Sequence, residues 1–144
     1  MKFGEKRPAD FNWVEARSKC RTKDAFETLY EDVKRDVAAA ELIAARSIKY
    51  EIGRSSERSF FVKQIENIGG FQAQRSVRFD RKSDSIEVSS HFVSGTVPPP
   101  DLSASPELSE DGDPCYRVDG EQKEPWQFRR KALDPVFFAL PEAD

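Results

Sequence analysis

The feature that most constrains this sequence is a stretch in which apolar side chains recur every three or four residues. Charged residues fill most of the positions between them. This spacing places the apolar side chains on one face of an α-helix. Asp24 and Glu27 have the spacing of a capping box, so we predict a helix of about six turns that begins at Asp24 and ends near Arg46. The apolar positions are Phe26, Leu29, Val33, Val37, Ala40 and Ala44.

The last third of this helix, residues 37–45, is apolar on nearly all sides. Leu42 projects roughly opposite the face that carries Phe26. A single sheet covers only one face, so the other face needs a cover from the C-terminal helix or from a second subunit. The sequence therefore predicts a homodimer interface at Ala38, Leu42 and Ala45.

Four segments after the helix alternate between apolar and polar residues, as strands with one buried face do. Polar turns and the Gly69-Gly70 pair separate them. Asp119-Gly120 predicts a later tight hairpin that ends at Lys123. The sequence thus predicts the α+β class, with a long N-terminal amphipathic helix packed on an antiparallel meander sheet of about five to seven strands. The strand segments are residues 48–52, 60–65, 75–79, 86–93, 115–118 and a short run to 123.

A short C-terminal helix follows the predicted sheet. Pro125 suits the first position of a helix, because proline has no N–H to donate there. We predict that Asp134-Pro135 breaks or restarts this helix. Its predicted stripe consists of Trp126, Arg129, Arg130, Leu133 and Phe137.

Residues 11–18 have aromatic side chains at alternate positions, Phe11 and Trp13. We interpret this segment as a strand, although Asp10 would also suit the cap of a short helix.

Residues 97–114 are rich in proline, serine and acidic residues. This bias predicts a flexible loop without regular structure. Such a loop is either a surface insertion between two hairpins or a functional flap or docking peptide.

The chain length of 144 residues predicts a single domain over residues 1–144. The residues at the N-terminus lack an apolar run, and no stretch approaches the length of a membrane span, so we expect a cytoplasmic protein with no membrane contact. Cys20 and Cys115 have no close spacing that would indicate a disulfide framework or a metal site. We expect free thiols.

Catalytic motifs are missing from the sequence. His91 is the single histidine, and no nucleophile lies in a recognisable motif beside it. No phosphate-binding glycine loop and no metal-ligand spacing are present. Glu51, Glu66 and Glu87 lie on different predicted strands, and acidic residues there are usually solvated. We therefore expect no metal and no cofactor, and favour a protein that is not an enzyme.

One face of the predicted meander is polar. Glu87 and His91 alternate outward from the apolar side of their strand, and neighbouring strands add Arg78, Lys63 and Arg117. This face is either an ordinary wet surface with ion pairs or a ligand-binding face. The candidate ligand-binding residues are His91, Arg78, Glu87 and Arg117.

Three functions remain open. We favour a non-enzymatic binding or assembly module that forms a homodimer, because an apolar helix face lacks a cover. The alternative is a small-molecule-binding protein or enzyme with a cavity between helix and sheet, in which His91 and Arg78 are the polar anchors and the proline-rich loop is a lid. The third is weak nucleic-acid binding through the basic N-terminal segment, where aromatic and basic residues alternate, although the net charge of −3 opposes it.

Overall fold

The computed structural model describes residues 10–93 and 97–138. It confirms the predicted α+β class, a long helix on a seven-stranded antiparallel sheet with a short C-terminal helix, although a further short helix precedes the long one. The helices are α1 (Trp13–Ser18), α2 (Thr22–Ile43) and α3 (Pro125–Phe137). The strands are β1 (Ile48–Ser56), β2 (Ser59–Ile68), β3 (Phe71–Arg81), β4 (Ile86–Phe92), β5 (Leu102–Leu108), β6 (Pro114–Val118) and β7 (Glu121–Lys123).

The sheet is a continuous meander in which each strand pairs with the next one along the chain. Helices α2 and α3 pack on the same face, which we call the inner face. Phe60 of β2 and Phe79 of β3 are partners in register, and their rings stack with 4.6 Å between centroids. Phe26 of α2 and Phe128 of α3 contact this pair. The middle of the space between helices and sheet is therefore filled with buried aromatic rings, each of which contributes about 1.5–3 kcal/mol.

The segment predicted as a first strand, residues 11–18, contains helix α1 instead. The Asn12 side chain accepts a hydrogen bond from the Glu15 backbone N–H at 3.0 Å, so Asn12 and not Asp10 caps this helix. The strand prediction is wrong because the alternate aromatic side chains do not share a buried face. Trp13 is 63% exposed, and no residue of α1 is buried.

Helix α2 begins at Thr22 without the predicted capping box. Its N-cap residue, Arg21, makes no side-chain cap. Glu27, which the capping box needs, instead pairs with Arg54 of β1 at 2.5 Å. This pairing lowers the pKa of Glu27, because the Arg54 guanidinium donates to its carboxylate. The helix ends at Ile43, three residues before the predicted end.

Strand β5 occupies the middle of the segment predicted to be an unstructured loop, residues 97–114. It pairs with β4 over three residues and with β6 over five. Leu102, Ala104, Pro106 and Leu108 share one face of it. The loop prediction is wrong because it follows from the proline and acidic composition. The residues of β5 alternate with the period of two that a strand has. Pro106 is tolerated because β5 pairs with β4 only as far as Ala104.

Helix α3 begins at Pro125, as predicted. A capping box between Glu124 and Gln127, which was not predicted, also marks its start. It continues through Pro135 to Phe137, so the predicted break does not occur. Burial of Val136 and a ring contact between Phe137 and Tyr50 offset the hydrogen bond that proline cannot donate.

The buried face of α3 includes Leu133 of the predicted stripe but otherwise consists of other residues. The structure buries Phe128, Ala132, Leu133 and Val136. Trp126, which the prediction placed on the apolar stripe, is 50% exposed.

Across the described ranges, no helix is long and apolar enough to span a membrane.

Candidate functional site

The second face of α2 remains uncovered in this single chain. Phe26, Leu29, Val33, Val37 and Ala40 are buried, and no residue of α2 after Ala40 is buried. Leu42 is 88% exposed and Ile43 is 72% exposed.

Two of the three predicted interface residues lie together on this exposed face. Ala38 and Leu42 are one helical turn apart and both exposed. Ala45 lies beyond the end of α2, because the backbone becomes extended at Ala44. We define the outer strip of α2 as Arg35, Ala38, Glu41 and Leu42, four exposed positions in which Ala38 lies three residues from Arg35 and Glu41 and four residues from Leu42. A role in dimerisation stays a prediction.

Helix α3 lies beside the end of α2 and leaves the outer strip open. Arg129 of α3 donates to Asp36 of α2 at 2.7 Å and lies 3.6 Å from Asp32. Beside this ion pair, Ile43 and Trp126 border an interhelical groove of about 610 Å³. The C-terminal helix is therefore a partial cover for the apolar end of α2.

The predicted ligand-binding residues all lie on the outer face of the sheet, away from α2 and α3. Arg78 is the register partner of Ser89, which lies between Glu87 and His91 on β4. Arg117 is on β6, two strands from β4. The structure thus brings Arg78, Glu87 and His91 together and leaves Arg117 apart.

Most of these side chains already have partners within the sheet. Arg78 donates to Asp80 at 2.8 Å, and Glu87 accepts from Ser103 at 3.3 Å. Arg117 lies 3.0 Å from Glu107. His91 is exposed. These contacts are typical of a wet sheet surface with ion pairs, and a ligand-binding role for the four residues stays a prediction.

The three glutamates considered for paired-carboxylate chemistry are not brought together. Glu51 and Glu87 lie on the outer face but on strands β1 and β4. Three strand spacings of about 4.8 Å separate those strands. Glu66 faces inward, opposite Ala73, which is buried. Within residues 10–93 and 97–138, no group of three or more His, Cys, Asp or Glu side chains has the arrangement to hold a metal ion.

Residues 1–9 of the basic N-terminal segment lie outside the described residues, and within residues 10–23 the exposed aromatic side chain is that of Trp13 on α1. Lys19 lies 3.9 Å from Glu15, one turn earlier, so an acidic neighbour partly offsets the basic residues. Nucleic-acid binding there remains a prediction.

A second cavity, of about 300 Å³, lies between the first half of α2 and strands β5 and β6. The end of the α1 segment and the start of α3 complete its wall. We call it the thiol cavity, because Cys20 and Cys115 both line it. The sequence offered no route to it, since 87 residues separate Cys20 from Glu107, its contact on β5.

The two thiols are free, as predicted, and they converge on one acceptor. The Sγ atoms of Cys20 and Cys115 lie 3.4 Å and 3.5 Å from the Glu107 carbonyl oxygen. Burial raises the pKa of both thiols, to about 11 for Cys115. Both cysteines are therefore protonated hydrogen-bond donors at neutral pH and poor nucleophiles.

Tyr116 contributes the phenol group of this cavity. Its side chain is 5% exposed, and its hydroxyl donates to the Ala25 carbonyl at 3.5 Å, the long limit for such a bond. Burial raises the pKa of Tyr116, so the phenol is neutral.

Comparison with known proteins identifies no relative: no family model, no curated protein and no solved structure matches the chain.

Proposed function

We propose that this chain is a non-enzymatic assembly module that forms a homodimer through the outer strip of α2. The observation that carries the proposal is the 88% exposure of Leu42 on the helix face that also presents Ala38. An exposed leucine alone is ordinary, but Ile43, Trp126 and Phe138 are also exposed at the same end of the molecule. These three side chains line the interhelical groove beside the outer strip, and exposed apolar surface of this kind is typical of an association surface.

The order of residues along the strip suits pairing of α2 with an antiparallel copy of itself. A twofold axis at Ala38 brings the two small alanines together, so the helix backbones can approach closely. The same axis sets Glu41 of each copy against Arg35 of the other. It also lays the aliphatic part of Lys34 over Leu42 of the partner. Both apolar contact and charge are therefore complementary in this arrangement.

The charges on the strip are available for such pairing. Arg35 is 80% exposed on its side chain and its present contact is with Asp32, 3.1 Å away on the same helix. An exposed pair of this kind contributes little to stability, so exchanging it for an intermolecular pair costs little.

Light scattering coupled to size-exclusion chromatography tests the proposal with two matched glutamate variants. We expect the wild-type chain at high micromolar concentration to have twice the mass of one chain, and Leu42→Glu to have the mass of one. The control Val97→Glu also replaces an exposed apolar residue, 86% exposed but outside the helices, and should remain a dimer. A monomeric wild type, or a folded Leu42→Glu protein that is still dimeric, overturns the proposal. Circular dichroism of each variant establishes that it is folded.

A further inference from the structure

We propose that the thiol cavity is a binding site for a neutral, apolar molecule the size of two fused aromatic rings, carrying one hydrogen-bonding group for Tyr116. This site is independent of the dimer interface, because the outer strip lies on the second half of α2 and the cavity lies under the first.

The size of the cavity sets the size of the ligand. Apolar cavities of about 150 Å³ in protein interiors bind benzene. The thiol cavity, at about 300 Å³, has roughly twice that volume. It therefore suits a bicyclic aromatic molecule better than a single ring or a long chain.

The wall is preformed and mainly apolar. Pro106, Pro114 and Pro125 line it from β5, β6 and the start of α3. Proline fixes the backbone angle φ, so these positions lose little freedom when a ligand binds. The sulfur atoms of Cys20 and Cys115 are polarisable and suit contact with an aromatic ring.

The charges at the cavity favour a neutral ligand. Arg129 is already paired with Asp36 at 2.7 Å and with Asp32 at 3.6 Å. A charged ligand would compete with these ion pairs and lose its own hydration. Lys19 and Thr28 line the cavity and are exposed, which marks the side from which a ligand enters.

The one polar preference comes from Tyr116. Its hydroxyl hydrogen bond to Ala25 is long, at 3.5 Å, and the residue is buried. A ligand hydroxyl within about 2.8 Å would form a better hydrogen bond with the phenol. A naphthol should therefore bind more tightly than naphthalene.

Binding of 2-naphthol and of naphthalene to the full chain, followed by ligand-observed NMR and probe fluorescence, tests the site. We expect both to bind the wild type, and Tyr116→Phe to weaken 2-naphthol about tenfold while naphthalene changes less than twofold. Ala25→Leu places a larger side chain in the cavity from α2 and should abolish binding of both probes. Ala39→Leu narrows the interhelical groove instead and should leave the affinity for both probes unchanged.

Alkylation of the thiols gives a second measurement that does not depend on a variant folding. The chain has only two cysteines, and both line the cavity, so total reaction with N-ethylmaleimide reports on it. Saturating 2-naphthol should slow alkylation at least fivefold. The proposal is overturned if neither probe binds the wild type up to its solubility limit, if Ala39→Leu rather than Ala25→Leu abolishes binding, or if bound naphthol leaves alkylation unchanged.

Discussion

Arg129 of α3 donates its Nε hydrogen to the Asp36 carboxylate of α2 across 2.7 Å, and this contact joins the two helices. The Arg129 side chain is only 19% exposed and also lies 3.6 Å from Asp32. One guanidinium thus neutralises two carboxylates one helical turn apart.

Replacement of Arg129 should destabilise the fold, because it leaves the half-buried Asp36 carboxylate without a cation, whereas Asp32 keeps its contact with Arg35. We expect Arg129→Met to lower the free energy of unfolding by about 1.5–3 kcal/mol, the range for hydrogen bonds to charged groups. Urea denaturation measures this change. The neighbouring Arg130→Met is the control: Arg130 is 70% exposed and 3.9 Å from Asp134, so its loss should cost less than about 0.5 kcal/mol. Equal effects of the two variants would contradict a specific role for Arg129.

Charge reversal across the proposed dimer axis should be reciprocal. Arg35→Glu and Glu41→Arg each place like charges opposite one another, twice in a symmetric dimer. We expect each single variant to weaken dimerisation about tenfold and the double variant to recover most of the loss. Sedimentation equilibrium measures the dissociation constants. A double variant that instead loses as much dimerisation free energy as the two single variants together would show that the two residues do not face each other. In that case the antiparallel arrangement is wrong.

Stability should fall at alkaline pH because of Cys115. Burial holds its folded-state pKa near 11, above its ordinary value near 9, so the folded state retains this proton more tightly than the unfolded state. The contribution of this protonated thiol to the free energy of unfolding is fully present below about pH 9 and is lost as the pH rises towards 11. We expect the wild type to lose roughly 2 kcal/mol relative to Cys115→Ala over this interval. Urea denaturation at pH 8, 9, 10 and 11 measures the difference, and parallel curves for the two proteins would contradict the assignment.

The parts of the fold that follow a local periodicity were predictable. The three- and four-residue spacing of Phe26, Leu29 and Val33 identified α2, and period-two alternation identified β1 to β4. Strand β5 carries the same alternation from Leu102 to Leu108, but its proline, serine and acidic residues are typical of a loop, so pattern and composition predict different structures there. The capping-box prediction for α2 is wrong for a different reason. Glu27 pairs with Arg54 of β1, a tertiary contact that cannot be predicted from neighbouring residues in the sequence.

The candidate sites divide in the same way. Exposure of Ala38 and Leu42 follows from the spacing of apolar residues on one helix, and the prediction of an uncovered face was possible without a structure. The thiol cavity could not be predicted from the sequence, because Cys20 and the β6 residues Cys115 and Tyr116 come together only through tertiary packing. His91 and Arg78 do lie on one face as predicted, but that face is opposite the helices, so these residues do not line the space between helix and sheet.

The strictly sequential order of the strands also determines how the chain can assemble. Each hairpin closes a short loop, so the entropic cost of bringing neighbouring strands together is small at most steps. The contact between Cys20 and Glu107 is different, because it spans 87 residues and needs β5 already in place. We therefore expect the α1 segment to dock after β5 has formed, and the thiol cavity to be complete only after that step.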